Sequence, residues 1–174
     1  SLETPVSHFF PAFKKTTVAL RPPAGALPDS PATIVPAKRE INVRDLLTHM
    51  SGLRPDVDVN FPWVGHDEAI RLATEEVLTQ APGRRFVYSD INYFLLAEIV
   101  ARVSKQPFEE FVQERLFRPL GMRETMYKPP ASLVPRIAPT QLCTEFGYPC
   151  DGPGQRMLRG VVHDGQRKVA PCRF

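Results

Sequence analysis

Proline placement constrains this chain more than any other feature. Nineteen of its 174 residues are Pro, about twice the usual share of roughly 5%. Seven lie in residues 1–40 and seven in residues 129–174, which leaves five across residues 41–128. Proline fixes φ, removes an amide donor and pushes the preceding residue out of the helical region. Long helices are therefore confined to the centre. Residues 1–40 are expected to be extended and turn-rich, with Val6, Phe9, Phe10 and Phe13 as an apolar anchor. The architecture expected is a compact centre with irregular arms.

Helical periodicity appears where proline is sparse. Asn42 is a good N-cap, Asp45 suits the first turn, and Val43, Leu46, Leu47 and Met50 share one face, so a helix is predicted over about 43–51. Gly52 is its expected stop. A second helix is predicted over about 68–79 behind Asp67, with Ile70, Ala73, Val77 and Leu78 inward. A third runs over about 90–104 behind Ser89 and is apolar nearly all round, which predicts burial on most sides. A fourth is predicted over about 107–118, with Phe108, Phe111, Val112 and Leu116 as its stripe. Residues 159–162 are the one candidate strand.

Composition narrows the class. Hydrophobic residues make up 43% and charged residues 24%, as in ordinary globular proteins, and ten Gly and three Cys exclude collagen-like and disulfide-scaffold chains. The net charge of +3 is too small to call for nucleic acid or an anionic membrane. No apolar run reaches the roughly 18 residues of a membrane span; the most apolar stretch, 91–103, contains Glu98 and Arg102. Cys143 and Cys150 are either a disulfide pair or two unrelated loop thiols.

Few residues carry a chemical signal by themselves. The four His (8, 49, 66 and 163) are scattered, and neither an H-x-x-x-H nor a C-x-x-C pair occurs, so no metal site and no cofactor are expected. There is no phosphate-binding glycine loop and no G-x-S-x-G elbow. His49 and Ser51 stand at i and i+2, on different sides of a helix, which predicts capping and surface roles. Tyr88-Ser89-Asp90 places a phenol, a hydroxyl and a carboxylate at the start of the third helix. A phenol ordinarily ionises near pH 10 and serves as a base only where a cation or a second base assists it. Two readings of these residues stand: a helix cap beside a half-buried aromatic, or a catalytic group.

A set of landmarks in fixed order resembles a known family. Leu46-Leu47-Thr48-His49-Met50-Ser51-Gly52-Leu53 is similar to the L-L-x-H-x-S-G-L signature of serine hydrolases related to class C β-lactamases. That family includes penicillin-binding D-alanyl-D-alanine peptidases and family VIII-type esterases. Pro82-Gly83 leading to Tyr88-Ser89-Asp90 resembles its P-G-x-x-x-x-Y-S-N. Phe117, Pro119-Leu120-Gly121-Met122 and Thr125-Met126 resemble its P-L-G-M-x-x-T segment, and Ile137 to Thr140 and Gly160 to Asp164 resemble later landmarks. The resemblance covers about residues 1–165, with the helical core at about 41–128 and 166–174 as an unassigned tail.

It implies a mainly α fold, the helical subdomain of the β-lactamase/transpeptidase-like fold, with irregular Pro-rich flanks. It implies acyl transfer from a small ester, amide or peptide substrate to a Ser nucleophile, followed by hydrolysis of the acyl-enzyme. Tyr88 matches the family's catalytic Tyr, which deprotonates that Ser and protonates the leaving group beside the Lys of an S-x-x-K motif. Asp90 takes the place of a substrate-contacting Asn, and its charge disfavours a substrate carboxylate. None of the Ser residues at 1, 7, 30, 51, 89, 104 and 132 has Lys three places later. The family carries S-x-x-K before the point matched by Ser1, and a K-T-G or H-x-G strand late in its length. His163-Asp164-Gly165 fits H-x-G only as a pattern. The chain alone is thus expected to be an inactive fragment of a serine hydrolase; a periplasmic or secreted parent is compatible with the resemblance, and the compartment stays open. The alternative is a non-catalytic binding or structural module from a truncated gene.

Overall fold

The computed structural model describes residues 1–21, 30–57 and 65–139, together with Leu142, Met157 and Arg159. The chain forms two compact units, residues 1–58 with 67–111 and residues 59–66 with 112–174.

In the first unit the Pro-rich N-terminal arm forms two short 3-10 turns, Val6–His8 and Pro11–Lys15, and two strands. Strands β1 (Thr17–Leu20) and β2 (Thr33–Pro36) pair antiparallel, with Thr17 opposite Pro36 and Leu20 opposite Thr33. Val6, Phe10 and Phe13 are buried as the expected anchor. The anchor is tied to the long helix α3 (Asp90–Ser104) by Arg102. Its guanidinium lies 4.4 Å above the Phe10 ring and donates to the Phe9 carbonyl at 2.7 Å.

Helix α1 (Val43–Leu47) begins as its sequence requires. Asn42 accepts from the Asp45 amide and the Asp45 carboxylate accepts from the Asn42 amide, both at 2.9 Å, a closed capping box. Arg39 grips the same carboxylate with two donors, at 2.6 and 2.9 Å. The hydrogen bond to Asp45 raises the Arg39 pKa above its ordinary value. The helix is shorter than its apolar spacing suggests, because His49 adopts φ 56°, a left-handed conformation that ends a helix. Asn42→Ala removes one half of the box and is expected to cost about 1 kcal/mol. Thermal unfolding of the variant measures this.

Helix α2 (His66–Glu75) also ends early. Its expected last turn is withdrawn by a longer-range partner. Leu78 donates to the Thr17 carbonyl at 2.9 Å and accepts from the Ala19 amide at 2.8 Å, so it adds a parallel bridge to β1. Leu78 is buried and Val77 is exposed. Helix α3 runs as predicted, but its burial does not. Ile91, Asn92, Leu95 and Ile99 form one buried stripe while Tyr93 and Val103 stay exposed. Ile41, Leu46, Leu53, Val57, Ile70, Ala73 and Leu78 complete the core of this unit.

The predicted fourth helix divides into α4 (Phe108–Val112) and a π-helical turn, Gln113–Phe117, and Leu116 is exposed rather than inward. In the second unit Phe117 stacks with Tyr127 at 6.3 Å. A 3-10 turn covers Ala131–Arg136, and Arg136 pairs with Glu124 at 2.6 Å. The candidate strand at 159–162, apart from Arg159, lies outside the described residues, as do Cys143, Cys150, His163-Asp164-Gly165 and the tail 166–174. No helix among the described residues is long and apolar enough to cross a membrane.

Candidate active site

The two signature segments, some forty residues apart in sequence, lie side by side in the first unit. Backbone hydrogen bonds join them in register. Thr79 donates to the Gly52 carbonyl at 2.8 Å, Gly83 to Met50 at 2.7 Å, Val87 to His49 at 2.9 Å and Asp90 to Pro55 at 2.7 Å. Gly52 permits this close approach. It adopts φ +85°, and a Cβ there would collide with the Gln80 carbonyl oxygen.

Behind this seam sits a buried polar cluster. Ser89 and Asn92 are both 0% exposed, and His49 and Ser51 are buried with them. The Ser51 hydroxyl donates to Asn92 Oδ1 at 2.6 Å and accepts from the Leu53 amide at 3.1 Å. Asn92 Nδ2 lies 3.0 Å from His49 Nδ1, and the Ser89 amide donates to the same nitrogen at 3.2 Å. Buried polar groups persist only when partnered, and here each of the four side chains has at least one hydrogen-bond partner.

The expectation that His49 and Ser51 serve the surface is therefore corrected. Because α1 stops at Leu47, their i, i+2 spacing no longer separates them by a helical rotation, and both turn inward onto Asn92. Ser89 occupies the N-cap position of α3, but its hydroxyl makes no cap. It donates instead to the Arg54 carbonyl at 2.6 Å. Asn92 was not legible as a site residue from spacing. The available signal was its isolation: a lone amide among Ile91, Tyr93, Phe94, Leu95 and Leu96 must find a buried partner.

Above the cluster the surface opens. A cavity of about 340 Å³ is lined by His49, Tyr88, Asp90, Tyr93 and Phe94. The His49 ring lies 4.7 Å from Tyr88 and 5.2 Å from Tyr93, and Phe86 meets it edge-on at 5.6 Å. Tyr88 is 65% exposed although its neighbour Ser89 is fully buried. The phenol thus reaches solvent from a backbone held on both sides. Both residues singled out in the sequence, Tyr88 and Asp90, line this one cleft. Among the described residues no group of three or more His, Cys, Asp or Glu is placed to hold a metal ion.

Two signature segments, a phenol at a cleft and a buried amide–imidazole cluster define a recognisable class. The family model described as Beta-lactamase matches residues 1–145. The chain belongs to this family of serine hydrolases. It is 29% identical over 174 residues to an N-acetylmuramyl-L-alanine amidase of Bacillus subtilis, covering 91% of this chain and 36% of that protein. A beta-lactamase/D-alanine carboxypeptidase from Yersinia pestis superposes with a TM-score of 0.54 at 26% identity, covering 78% of this chain and 36% of that one. FmtA from Staphylococcus aureus shares the fold, with a TM-score of 0.61 at 18% identity, covering 97% of this chain and 40% of that one. The chain spans about a third of the length of the curated relatives it matches, 36% in the Bacillus amidase.

Proposed function

We propose that this chain is the helical subdomain of an acyl-transferring serine hydrolase and that Tyr88 is its general acid–base. One observation carries the reading. Tyr88 holds the matching position of the family's Y-S-N motif, and its phenol is exposed at a cleft while the peptides around it are anchored. In the whole enzyme the Tyr88 oxygen accepts the proton of the Ser of S-x-x-K as that Ser bonds to the acyl carbon. It returns the proton to the departing alcohol or amine as the ester or amide bond breaks. Water then cleaves the acyl-enzyme.

Asp90 faces the same cleft and sets the substrate class. Its carboxylate repels a substrate carboxylate, so esters and amides without an acidic group beside the scissile bond are preferred. β-Lactams, which carry such a group, are poor substrates.

The nucleophile is supplied by a segment other than residues 1–174, since no Ser in this chain has Lys three places later. The purified 174-residue chain is expected to resist a fluorophosphonate probe. The same chain joined to an S-x-x-K-bearing segment and to the family's late strand is expected to be labelled at that Ser. Labelling of any of the chain's own Ser residues, lost on mutating that residue, would overturn the assignment. Failure of the joined protein to react while correctly folded favours the non-catalytic module instead.

A further inference from the structure

The buried cluster beneath the cleft has a directionality that reaches Tyr88. A backbone amide can only donate, so the Ser89 N–H at 3.2 Å requires a lone pair on His49 Nδ1. The Asn92 amide agrees with this. Its oxygen is committed to the Ser51 hydroxyl at 2.6 Å, which turns its NH₂ toward Nδ1 at 3.0 Å. The Ser51 proton is itself directed by the Leu53 amide, which occupies a lone pair of Oγ at 3.1 Å. The chain of donors thus runs from Leu53 through Ser51 and Asn92 to Nδ1, and a second donor arrives from Ser89. The neutral ring must carry its proton on Nε2.

We infer that His49 is a positioning residue for Tyr88, acting as an Nε2–H tautomer. Its Nδ1 fixes the peptide between Tyr88 and Ser89, and its ring face supports the phenol. The peptide nitrogen that Nδ1 holds belongs to the same planar unit as the Tyr88 carbonyl. Val87 is held one residue earlier by the His49 carbonyl at 2.9 Å, and Asp90 by the Pro55 carbonyl at 2.7 Å. Tyr88 is therefore bracketed by fixed peptides while its side chain stays free toward the cleft. The imidazole, 4.7 Å from its ring and tilted by 37°, limits where the phenol can swing. The left-handed backbone at His49 presents carbonyl and imidazole to the same neighbouring segment. The consequence for turnover rests on the catalytic reading of Tyr88; the hydrogen-bonding assignment does not.

The test uses the folded 174-residue chain. Ring ¹⁵N spectra of His49 are expected to show a proton on Nε2 and an accepting Nδ1; a proton on Nδ1 overturns the proposal. Amide exchange then separates side chain from backbone. In His49→Phe, which keeps a ring but has no acceptor, exchange at Ser89 is expected to rise about tenfold. Val87, bonded to the His49 backbone carbonyl, should hold its wild-type rate. In His49→Asn the side-chain oxygen replaces Nδ1 and the left-handed backbone is tolerated, so protection at Ser89 should return. Equal protection of Ser89 in the wild type and His49→Phe overturns the proposal. If His49→Phe does not fold, the wild-type spectra and the Asn variant decide. In the joined hydrolase His49→Phe is expected to lower kcat with little change in KM; an unchanged kcat beside a loosened Ser89 overturns the positioning role of His49 and leaves its hydrogen-bonding assignment standing, while the catalytic role of Tyr88 is tested separately by Tyr88→Phe.

Discussion

Tyr88→Phe, made in the chain joined to its S-x-x-K segment, is expected to lower turnover by about 10²–10⁴-fold, the usual contribution of a general acid–base. That is about 3–5 kcal/mol of transition-state stabilisation. The substitution keeps the ring, and with it the 4.7 Å contact to His49, and removes only the oxygen. Tyr88 is 65% exposed and, among the described residues, its hydroxyl takes no part in the hydrogen bonding that holds the cluster, so the phenol oxygen contributes little to holding the fold together. The melting temperature should therefore move by no more than an ordinary surface change, within about 0.5 kcal/mol. A purely packing role predicts the opposite pattern, with full turnover and any loss confined to stability. Steady-state kinetics and thermal melting on the same preparation distinguish the two, and near-normal kcat would remove Tyr88 from the mechanism.

Gly52→Ala is expected to be the most damaging small substitution in the first unit, at about 2–4 kcal/mol. Two terms combine. Placing Ala at φ +85° costs about 1 kcal/mol. The new methyl also meets the Gln80 carbonyl, which is backbone and does not swing away, and overpacking of this kind costs about 1–3 kcal/mol. The strain falls on the seam that carries the Thr79 to Gly52 and Gly83 to Met50 hydrogen bonds. Both the addition of Leu78 to β1 and the register of Tyr88 depend on that seam. Gly121→Ala is the control. Its φ is +68°, and no described atom lies within 4 Å of where the new methyl would stand, so only the backbone term applies. Chemical denaturation of the two variants checks the difference, and equal losses would show that the approach to Gln80 carries no energy.

The local elements were largely legible in the amino-acid sequence, for short-range reasons. Asn42 and Asp45 announce the start of α1 because a capping box closes within four residues. Asp90 to Ser104 announces α3 because helix propensity and the absence of proline act over the same window. The order of the signature segments pointed to the family, and it is what singled out Tyr88 and Asp90, which the structure places at one cleft. Local spacing alone left Tyr88 open between cap and catalyst.

What the sequence by itself determined is the approximate position of the helices, the capping box of α1, the absence of a long helix from the Pro-rich N-terminal arm and the family. Each depends on φ restriction, side-chain periodicity or the linear order of motifs. Tertiary structure alone decided where α1 and α2 stop and what the polar residues His49, Ser51, Ser89 and Asn92 do. Leu78 left the predicted end of α2 because hydrogen bonds to Thr17 and Ala19, about sixty residues away, replace the helical ones. His49 and Ser51 became interior because a left-handed residue ended α1 and brought them against Asn92. The single buried stripe of α3, where the sequence suggested burial all round, follows from which faces have neighbours. A donor or an apolar face in isolation does not specify its partner. The cleft, its buried support and the exposure of Tyr88 arise only when segments distant in sequence satisfy one another's hydrogen bonds.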